Sequence, residues 1–212
     1  MVDDLYLDVL PKTQLKLFKS LSSLDWIGDF YLAGGTALAL QIGHRRSVDF
    51  DFFTPQEFDA LLIKKRLNDL GSFELFSESE GTINARLDKV QISFFTIPYP
   101  LIKKVKNVKE IRLASKEDIA AMKLSAISNR GSRKDFVDMY FLFKEYSLAE
   151  MIKFFEKKYG KNRENAYSAL KGLVYFKDAE EQPMPKMLKS AAWKQIKAIC
   201  ETELKRYLKS LE

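Results

Sequence analysis

YLAGGTALALQIGHRRSVDFDFFT, residues 31–54, places a glycine turn, two arginines and two aspartates between apolar runs. The run before Gly34 is typical of a short strand, and the leucines and small residues after Gly35 predict a buried helix. In VDFDFF, residues 48–53, apolar and acidic residues alternate, which predicts a strand with carboxylates on one face. The segment therefore predicts a strand–turn–helix–strand unit with polar chemistry at the turn and on the second strand.

Asp49 and Asp51 are the first candidate functional residues. They lie two positions apart on the predicted strand, so both carboxylates leave the same face, close to each other. Like charges this close repel unless a cation lies between them. Mg²⁺ or Mn²⁺ accepts such oxygen ligands and completes its shell with water and phosphate oxygens. A pair of exposed aspartates on an edge strand is the alternative.

The glycine turn is the second candidate. Gly34, Gly35 and Thr36 lie between a predicted strand and a predicted helix, where free backbone N–H groups form a cradle for phosphate. A tight turn with a capping threonine is the alternative. A phosphate cradle followed by paired carboxylates is the arrangement needed to hold Mg²⁺ on a nucleoside triphosphate (NTP), and this coupling favours the functional interpretation.

The composition indicates a folded protein without a membrane segment. Hydrophobic residues make up 46% of the 212 positions, which is ample for a packed core. No apolar run approaches the roughly 18 residues of a membrane helix, and the first residues lack the pattern of a secretory signal, so we expect a cytoplasmic location. The single cysteine, Cys200, and the single histidine, His44, exclude an internal disulfide and a cysteine–histidine zinc site.

The two parts of the chain differ in charge and in predicted secondary structure. Residues 1–100 carry 10 Lys and Arg against 14 Asp and Glu, whereas residues 101–212 carry 25 against 15, giving formal charges of −4 and +10. A basic part favours a polyanionic partner such as nucleic acid, although solvated lysine-rich helices give the same count. We predict an α/β domain over 1–112 and a helical domain over 113–212.

Local patterns add detail to this division. Thr54, Pro55 and Glu57 have the spacing of a capping box, which predicts a helix from there to Gly71. Three short segments between residues 72 and 97 predict the strands of a meander. Beyond Ser115, five amphipathic or capped patterns predict helices.

The motifs together resemble a known family. Gly34-Gly35-Thr36 followed by Arg45-x-Ser47-x-Asp49-x-Asp51 resembles the signature of the nucleotidyltransferase superfamily, and specifically the AbiEii/AbiGii toxin family of type IV toxin–antitoxin systems. The stretches DIAAMKLSAISNRGSRKDFVDMYFL (118–142) and YFKDAEEQPMPKML (175–188) are similar to later blocks of that family. The resemblance implies an α+β fold, with a small mixed β-sheet flanked by helices and followed by an all-helical C-terminal half.

The resemblance also implies a role for particular residues. Asp49 and Asp51 would bind the metal, Lys123 would contact phosphate, and Asp135 or Asp138 would complete the catalytic set. Lys123 could instead be an ordinary surface lysine. The residues implied to bind nucleotide are Gly34, Gly35, Thr36, Arg45, Ser47 and Lys123.

The activity implied is Mg²⁺-dependent transfer of a nucleoside monophosphate (NMP) from an NTP to RNA, including the 3′ end of tRNA, or to a protein. A cognate antitoxin would restrain it. One alternative is a degenerate fold that binds nucleotide or RNA without turnover. Another is a phosphatase with Asp49 as nucleophile, although Phe53 stands where that motif usually has threonine or valine.

Several polar residues have open roles. A third carboxylate is expected on a later strand, but KVQISFF (89–95) offers Gln91 and Ser93, and Asp88 falls in the preceding turn. His44 is interpreted as an orienting group at a helix end rather than a general base. The residues predicted to form a patch facing phosphate or RNA are Arg130, Arg133 and Lys134.

Overall fold

The computed structural model describes residues 5–129 and 131–212. These residues form two compact units. The first unit runs to Pro100 and also includes Lys104–Ala114, and the second comprises Leu101–Lys103 and Ser115–Glu212. Along the chain, the unit changes at Leu101, at Lys104 and after Ala114, and the boundary predicted between residues 112 and 113 stays a prediction.

The first unit contains a mixed sheet and three α-helices. The strands are β1 (Tyr31–Ala33), β2 (Phe50–Thr54), β3 (Phe73–Ser79), β4 (Thr82–Leu87), β5 (Val90–Thr96), β6 (Lys106–Val108) and β7 (Ile111–Leu113). The helices are α1 (Lys12–Leu21), α2 (Gly34–Ile42) and α3 (Ala60–Asn68), with 3₁₀ turns at Leu7–Val9 and Asp25–Asp29. The sheet order is β3-β4-β5-β2-β1-β7-β6.

The centre of this sheet is the unit predicted from residues 31–54. Strand β2 pairs antiparallel with β1 and parallel with β5, so it has a neighbour on both sides. Phe50 and Phe52 are fully buried, and the Phe52 ring stacks on Phe94 at 5.3 Å between centroids. Because side chains alternate along a strand, this aromatic packing leaves Asp51 on the opposite face.

Strands β3, β4 and β5 form the predicted antiparallel meander. The helix predicted from Thr54 is wrong at its start. Thr54 ends β2, in register with Thr96 of β5, and α3 begins only at Ala60. Asp59 caps that helix, since its carboxylate accepts hydrogen bonds from the backbone N–H groups of residues 61 and 62.

The second unit is helical, as predicted. Its helices are α4 (Lys116–Asn129), α5 (Arg133–Leu142), α6 (Leu148–Tyr159), α7 (Arg163–Gly172), α8 (Lys177–Glu180) and α9 (Trp193–Lys209). Capping boxes begin α5 at Ser132 and α6 at Ser147. A mixed sheet flanked by helices and followed by a helical part confirms the predicted α+β class.

Asp118 on α4 fixes the short segment 101–103 to the second unit. Its carboxylate is fully buried and accepts hydrogen bonds from the N–H groups of Ile102 (2.9 Å) and Lys103 (3.2 Å). The ammonium of Lys158 lies 2.9 Å from the same carboxylate. Within residues 5–129 and 131–212, no helix is long and apolar enough to cross a membrane.

Candidate functional site

The glycine turn and the Asp51 carboxylate lie against each other. Gly34 begins α2 with a left-handed backbone (φ +66°), and a Cβ at this position would stand 3.0 Å from Oδ2 of Asp51. Glycine is therefore needed twice, for its backbone conformation and for the space its missing side chain leaves. The carboxylate thus lies at the N-terminus of a helix, where backbone N–H groups point outward.

Asp49 and Asp51 stand on either side of the buried Phe50. Asp49 immediately precedes β2, Asp51 lies within it, and both side chains are half-buried. In the part of the chain that the structure describes, no three histidine, cysteine, aspartate or glutamate side chains cluster to enclose a metal ion. Two half-buried carboxylates on one face nevertheless fit Mg²⁺, which is usually held by one or two carboxylates with water and substrate phosphates as its other ligands.

The neighbouring strand β5 has a hydroxyl at the position where a third carboxylate was sought. Ser93 is the register partner of Asp51 and is 3% exposed, so its side chain lies on the same face beside that carboxylate. Gln91 is exposed. Asp88 lies in the β4–β5 turn, as expected, and its carboxylate accepts a hydrogen bond of 3.0 Å from the N–H of Ser72.

Three of the predicted nucleotide-binding side chains hold the loop before Asp49. Thr36 is 2% exposed, and its Oγ1 lies 2.7 Å from Ser47 Oγ and contacts the backbone carbonyl of Asp49. The Arg45 guanidinium, also buried, donates to the Arg46 carbonyl at 3.1 Å and to Ser47 Oγ at 3.4 Å. These contacts fix the backbone from which the Asp49 carboxylate projects. His44, in the same loop, is fully buried.

Lys123 of α4 is a buried, ion-paired lysine. Its Nζ lies 2.8 Å from Asp135 Oδ1 and 2.6 Å from Asp138 Oδ2, both on α5. Its side chain is 9% exposed, which rules out the alternative of an ordinary surface lysine. Asp135 and Asp138 are three residues apart and therefore face the same partner across the helix contact.

Asp135 has a second set of contacts that the sequence pattern did not indicate. Its Oδ2 accepts hydrogen bonds from the N–H of Ser132 at 3.1 Å and from the Ser132 hydroxyl at 2.5 Å, which completes the capping box of α5. Burial alone would raise the pKa of the Asp135 carboxyl, but the Lys123 ammonium and these hydrogen bonds outweigh it, so the pKa lies below its ordinary value. Asp135 is therefore ionised at neutral pH.

The predicted basic patch is described in part. Arg133 donates hydrogen bonds to the carbonyls of Ala179 (2.7 Å) and Glu180 (2.9 Å), and its guanidinium lies 4.6 Å from the centre of the Trp193 ring. Arg133 therefore ties α5 to α8 and α9. Lys134 is exposed, and Arg130 lies outside the described residues.

The candidate residues belong to both units. The glycine turn, Asp49 and Asp51 are in the first unit, and Lys123, Asp135 and Asp138 are in the second. Each set is assembled within its own unit. A single site that combines the two sets stays a prediction.

Solved structures of other proteins share this fold. MenT4, a nucleotidyltransferase toxin from Mycobacterium tuberculosis, shares the fold with a TM-score of 0.57 at 12% identity, over 90% of this chain and 82% of that chain. JHP933 from Helicobacter pylori matches with a TM-score of 0.54 at 17% identity, over 92% of each chain. The fold is thus one that a nucleotidyltransferase toxin adopts.

The family follows from the sequence comparisons. The family model described as the nucleotidyl transferase AbiEii toxin of type IV toxin–antitoxin systems matches residues 16–209, so the chain belongs to that family. An uncharacterized protein of Aquifex aeolicus is 38% identical over 208 residues, covering 95% of this chain and 98% of the relative. The protein is therefore a nucleotidyltransferase with an NTP as substrate, and the phosphatase hypothesis is abandoned.

Proposed function

We propose that the protein transfers an NMP from an NTP to an RNA or protein acceptor in a Mg²⁺- or Mn²⁺-dependent reaction. One observation carries the proposal: the Asp51 carboxylate lies against the glycine turn that begins α2. A helix N-terminus attracts phosphate, and an adjacent carboxylate pair attracts the cation that accompanies a triphosphate. Both ligands of a metal–nucleotide complex thus find their partners at one place.

Asp49 and Asp51 would hold the metal ion. When bound, the ion would neutralise phosphate charge and stabilise the attacking and leaving oxygens. Because Thr36, Arg45 and Ser47 are buried and contact one another or the loop backbone, their contribution would be to hold Asp49 in place. The backbone N–H groups of the glycine turn would bind the phosphates directly.

The transfer requires one bond to form and one to break. An acceptor hydroxyl would attack the α-phosphorus, the bond between that phosphorus and the bridging oxygen of the β-phosphate would break, and pyrophosphate would leave. Lys123 would neutralise charge on the phosphates. Asp135 or Asp138 would position a metal ion or accept the proton of the attacking hydroxyl.

Charge and family membership support a choice of acceptor and of partner. The formal charge of +10 over residues 101–212 favours a polyanionic acceptor, and RNA, including the 3′ end of tRNA, is the class that fits. Membership of a type IV toxin family suggests a cognate antitoxin as regulatory partner. A neighbouring reading frame that encodes a small DNA-binding protein would support the antitoxin.

Ser93 favours a second candidate function. A hydroxyl, rather than a carboxylate, stands beside Asp51 at the register position of β5. If the metal site needs that third acid and neither Asp135 nor Asp138 replaces it, the protein is a degenerate module that binds NTP without turnover. Pyrophosphate release separates the two functions, because only the transferase produces it.

The test is labelling with each α-³²P NTP in turn, with total RNA, in Mg²⁺ and then in EDTA. We expect one NTP to label a macromolecule in Mg²⁺ only. Loss of the label to ribonuclease identifies RNA as acceptor, and loss to protease identifies a protein. Bound NTP with neither label nor pyrophosphate, in Mg²⁺ and in Mn²⁺, would contradict the transferase and favour the binding module.

A further inference from the structure

A surface cavity in the second unit lies where the end of α4 meets α7. Its volume is about 400 Å³, within the range of sites that bind small molecules and cofactors. Its lining includes five polar or charged residues and one aromatic residue: Ser128, Asn129, Ser168, Lys171, Asp178 and Tyr175. None of these residues belongs to the candidate catalytic set.

Contacts within the protein hold the walls of the cavity in place. A Cβ on Gly172 would stand 2.6 Å from the carbonyl oxygen of Ile127, so glycine lets α7 lie directly on α4. On the other wall, Ser128 and Asn129 donate hydrogen bonds of 2.7 and 2.9 Å to the Ser125 carbonyl, which fixes both side chains. A preformed wall lowers the entropy cost of binding.

The lining carries three kinds of group that can contact a nucleotide: an aromatic ring, a cation and a carboxylate. Tyr175 is 51% exposed, so its ring is open to stacking by a planar base. Lys171, exposed in the last turn of α7, supplies a cation for a phosphate. Asp178 supplies a carboxylate, which accepts a hydrogen bond from an exocyclic amino group of a base.

We propose that this cavity binds one nucleotide of a single-stranded RNA acceptor. The base stacks on Tyr175, its amino group donates to Asp178, and a neighbouring phosphate pairs with Lys171. Adenine, cytosine and guanine carry such an amino group and uracil does not, so the site disfavours uracil. The proposal rests on the proposed function in one respect, that the acceptor is RNA.

Charge favours RNA over a protein ligand at this cavity. The cavity belongs to the basic part of the chain, which attracts a phosphate backbone over a long range. An exposed aromatic ring and a lysine that line the same cavity match a base and its phosphate. A peptide ligand would need a negative charge to pair with Lys171 and a positive charge to pair with Asp178, and only particular peptide sequences carry both.

The test measures the affinity of the full chain for short fluorescein-labelled RNAs by anisotropy. Tyr175→Ala should weaken binding by roughly 5- to 150-fold, the loss of one stacked base, and Tyr175→Phe should retain it. Lys171→Gln should reduce the salt slope by about 1. Wild-type protein should bind oligo(C) and oligo(A) more tightly than oligo(U), and Asp178→Asn should narrow that preference.

Matched controls come from the same region. Tyr167 lies on α7 and is 68% exposed but does not line the cavity, so Tyr167→Ala should bind like wild type. Lys161→Gln, just before α7, controls for the loss of one positive charge. Circular dichroism checks that every variant is folded.

The outcomes separate this site from the proposed function. RNA labelling by the wild type together with unchanged affinity in Tyr175→Ala would overturn the site and leave the transferase standing. An equal loss of affinity in Tyr167→Ala would also overturn it. A protein acceptor with no RNA binding would overturn the site while the transferase persists, and absence of both labelling and RNA binding would overturn both.

Discussion

Replacing Gly34 with alanine tests whether the glycine turn positions Asp51. The substitution has two costs. An alanine with a φ of +66° costs about 1–2 kcal/mol of folding free energy. The new Cβ would also stand 3.0 Å from Asp51 Oδ2, so the carboxylate must move by a few tenths of an ångström. Since a misplacement of about 1 Å costs on the order of 10²-fold in rate, we expect NMP transfer to fall by roughly 10-fold.

Gly160→Ala is the matched control for this prediction. Gly160 also has a positive φ, +85°, but a Cβ there meets no atom within 4 Å. It should lose a similar stability, about 1–3 kcal/mol, and keep its transfer rate. Urea unfolding followed by circular dichroism gives the stabilities, and radiolabelled NTP gives the rates. If Gly34→Ala transferred NMP at the wild-type rate, or no more slowly than Gly160→Ala, the contact with Asp51 would not matter for the reaction.

Three further predictions concern the second unit. Lys123→Met leaves two buried carboxylates without their cation and should lower the free energy of unfolding in urea by about 3–5 kcal/mol. Lys116→Met on the same helix breaks a more exposed pair with Glu145 and should lower it by only about 0–1 kcal/mol. Equal losses of stability in the two variants would contradict the buried cluster. Because the pKa of Asp135 is lowered in the folded protein, its stabilising contribution is present at pH values above the ordinary pKa of 3.8 and is lost as the pH falls through the lower folded pKa. Acidification below about pH 4 should therefore destabilise the wild type more than Asp135→Asn. Burial raises the pKa of the Cys200 thiol to about 12, so a thiol reagent at about pH 8 should modify it only after urea unfolds the protein, and rapid modification of the native chain would contradict its burial.

Local patterns predicted the elements better than the pairing of strands. Alternation in residues 48–53 indicated β2, and a run ending at Gly34 indicated β1, because both signals are read within a few residues. The parallel pairing of β2 with β5 joins residues about 40 positions apart and leaves no mark in either strand. Strands β6 and β7 have three residues each, too few for alternation to show.

The error at Thr54 has a physical cause. Threonine and a glutamate three positions later suit a helix start, but threonine also suits a strand, and the register with Thr96 of β5 keeps Thr54 in the sheet. Asp59, which does cap α3, is an equally good cap residue five positions on. Only the tertiary pairing decides between them.

The sequence supplied candidate residues for the site but not the contacts that those residues make. The order of motifs indicated Asp49 and Asp51, and the family resemblance implied Lys123. The spacing of Asp135 and Asp138 was enough to place them on one helix face. No sequence signal showed that Lys123 bridges both carboxylates. The burial of Thr36 could not be predicted either. A threonine after two glycines suggests a phosphate ligand whether its hydroxyl faces the substrate or the loop.

The most direct test of the proposed transferase is Asp51→Asn, a change that keeps the size of the side chain and removes its charge. NMP transfer, measured as label incorporated from an α-³²P NTP in Mg²⁺, should be abolished. Thermal stability without Mg²⁺ should hold or rise slightly, because the repulsion between Asp49 and Asp51 is relieved. Transfer at the wild-type rate by Asp51→Asn would contradict a metal-dependent transferase that uses this carboxylate.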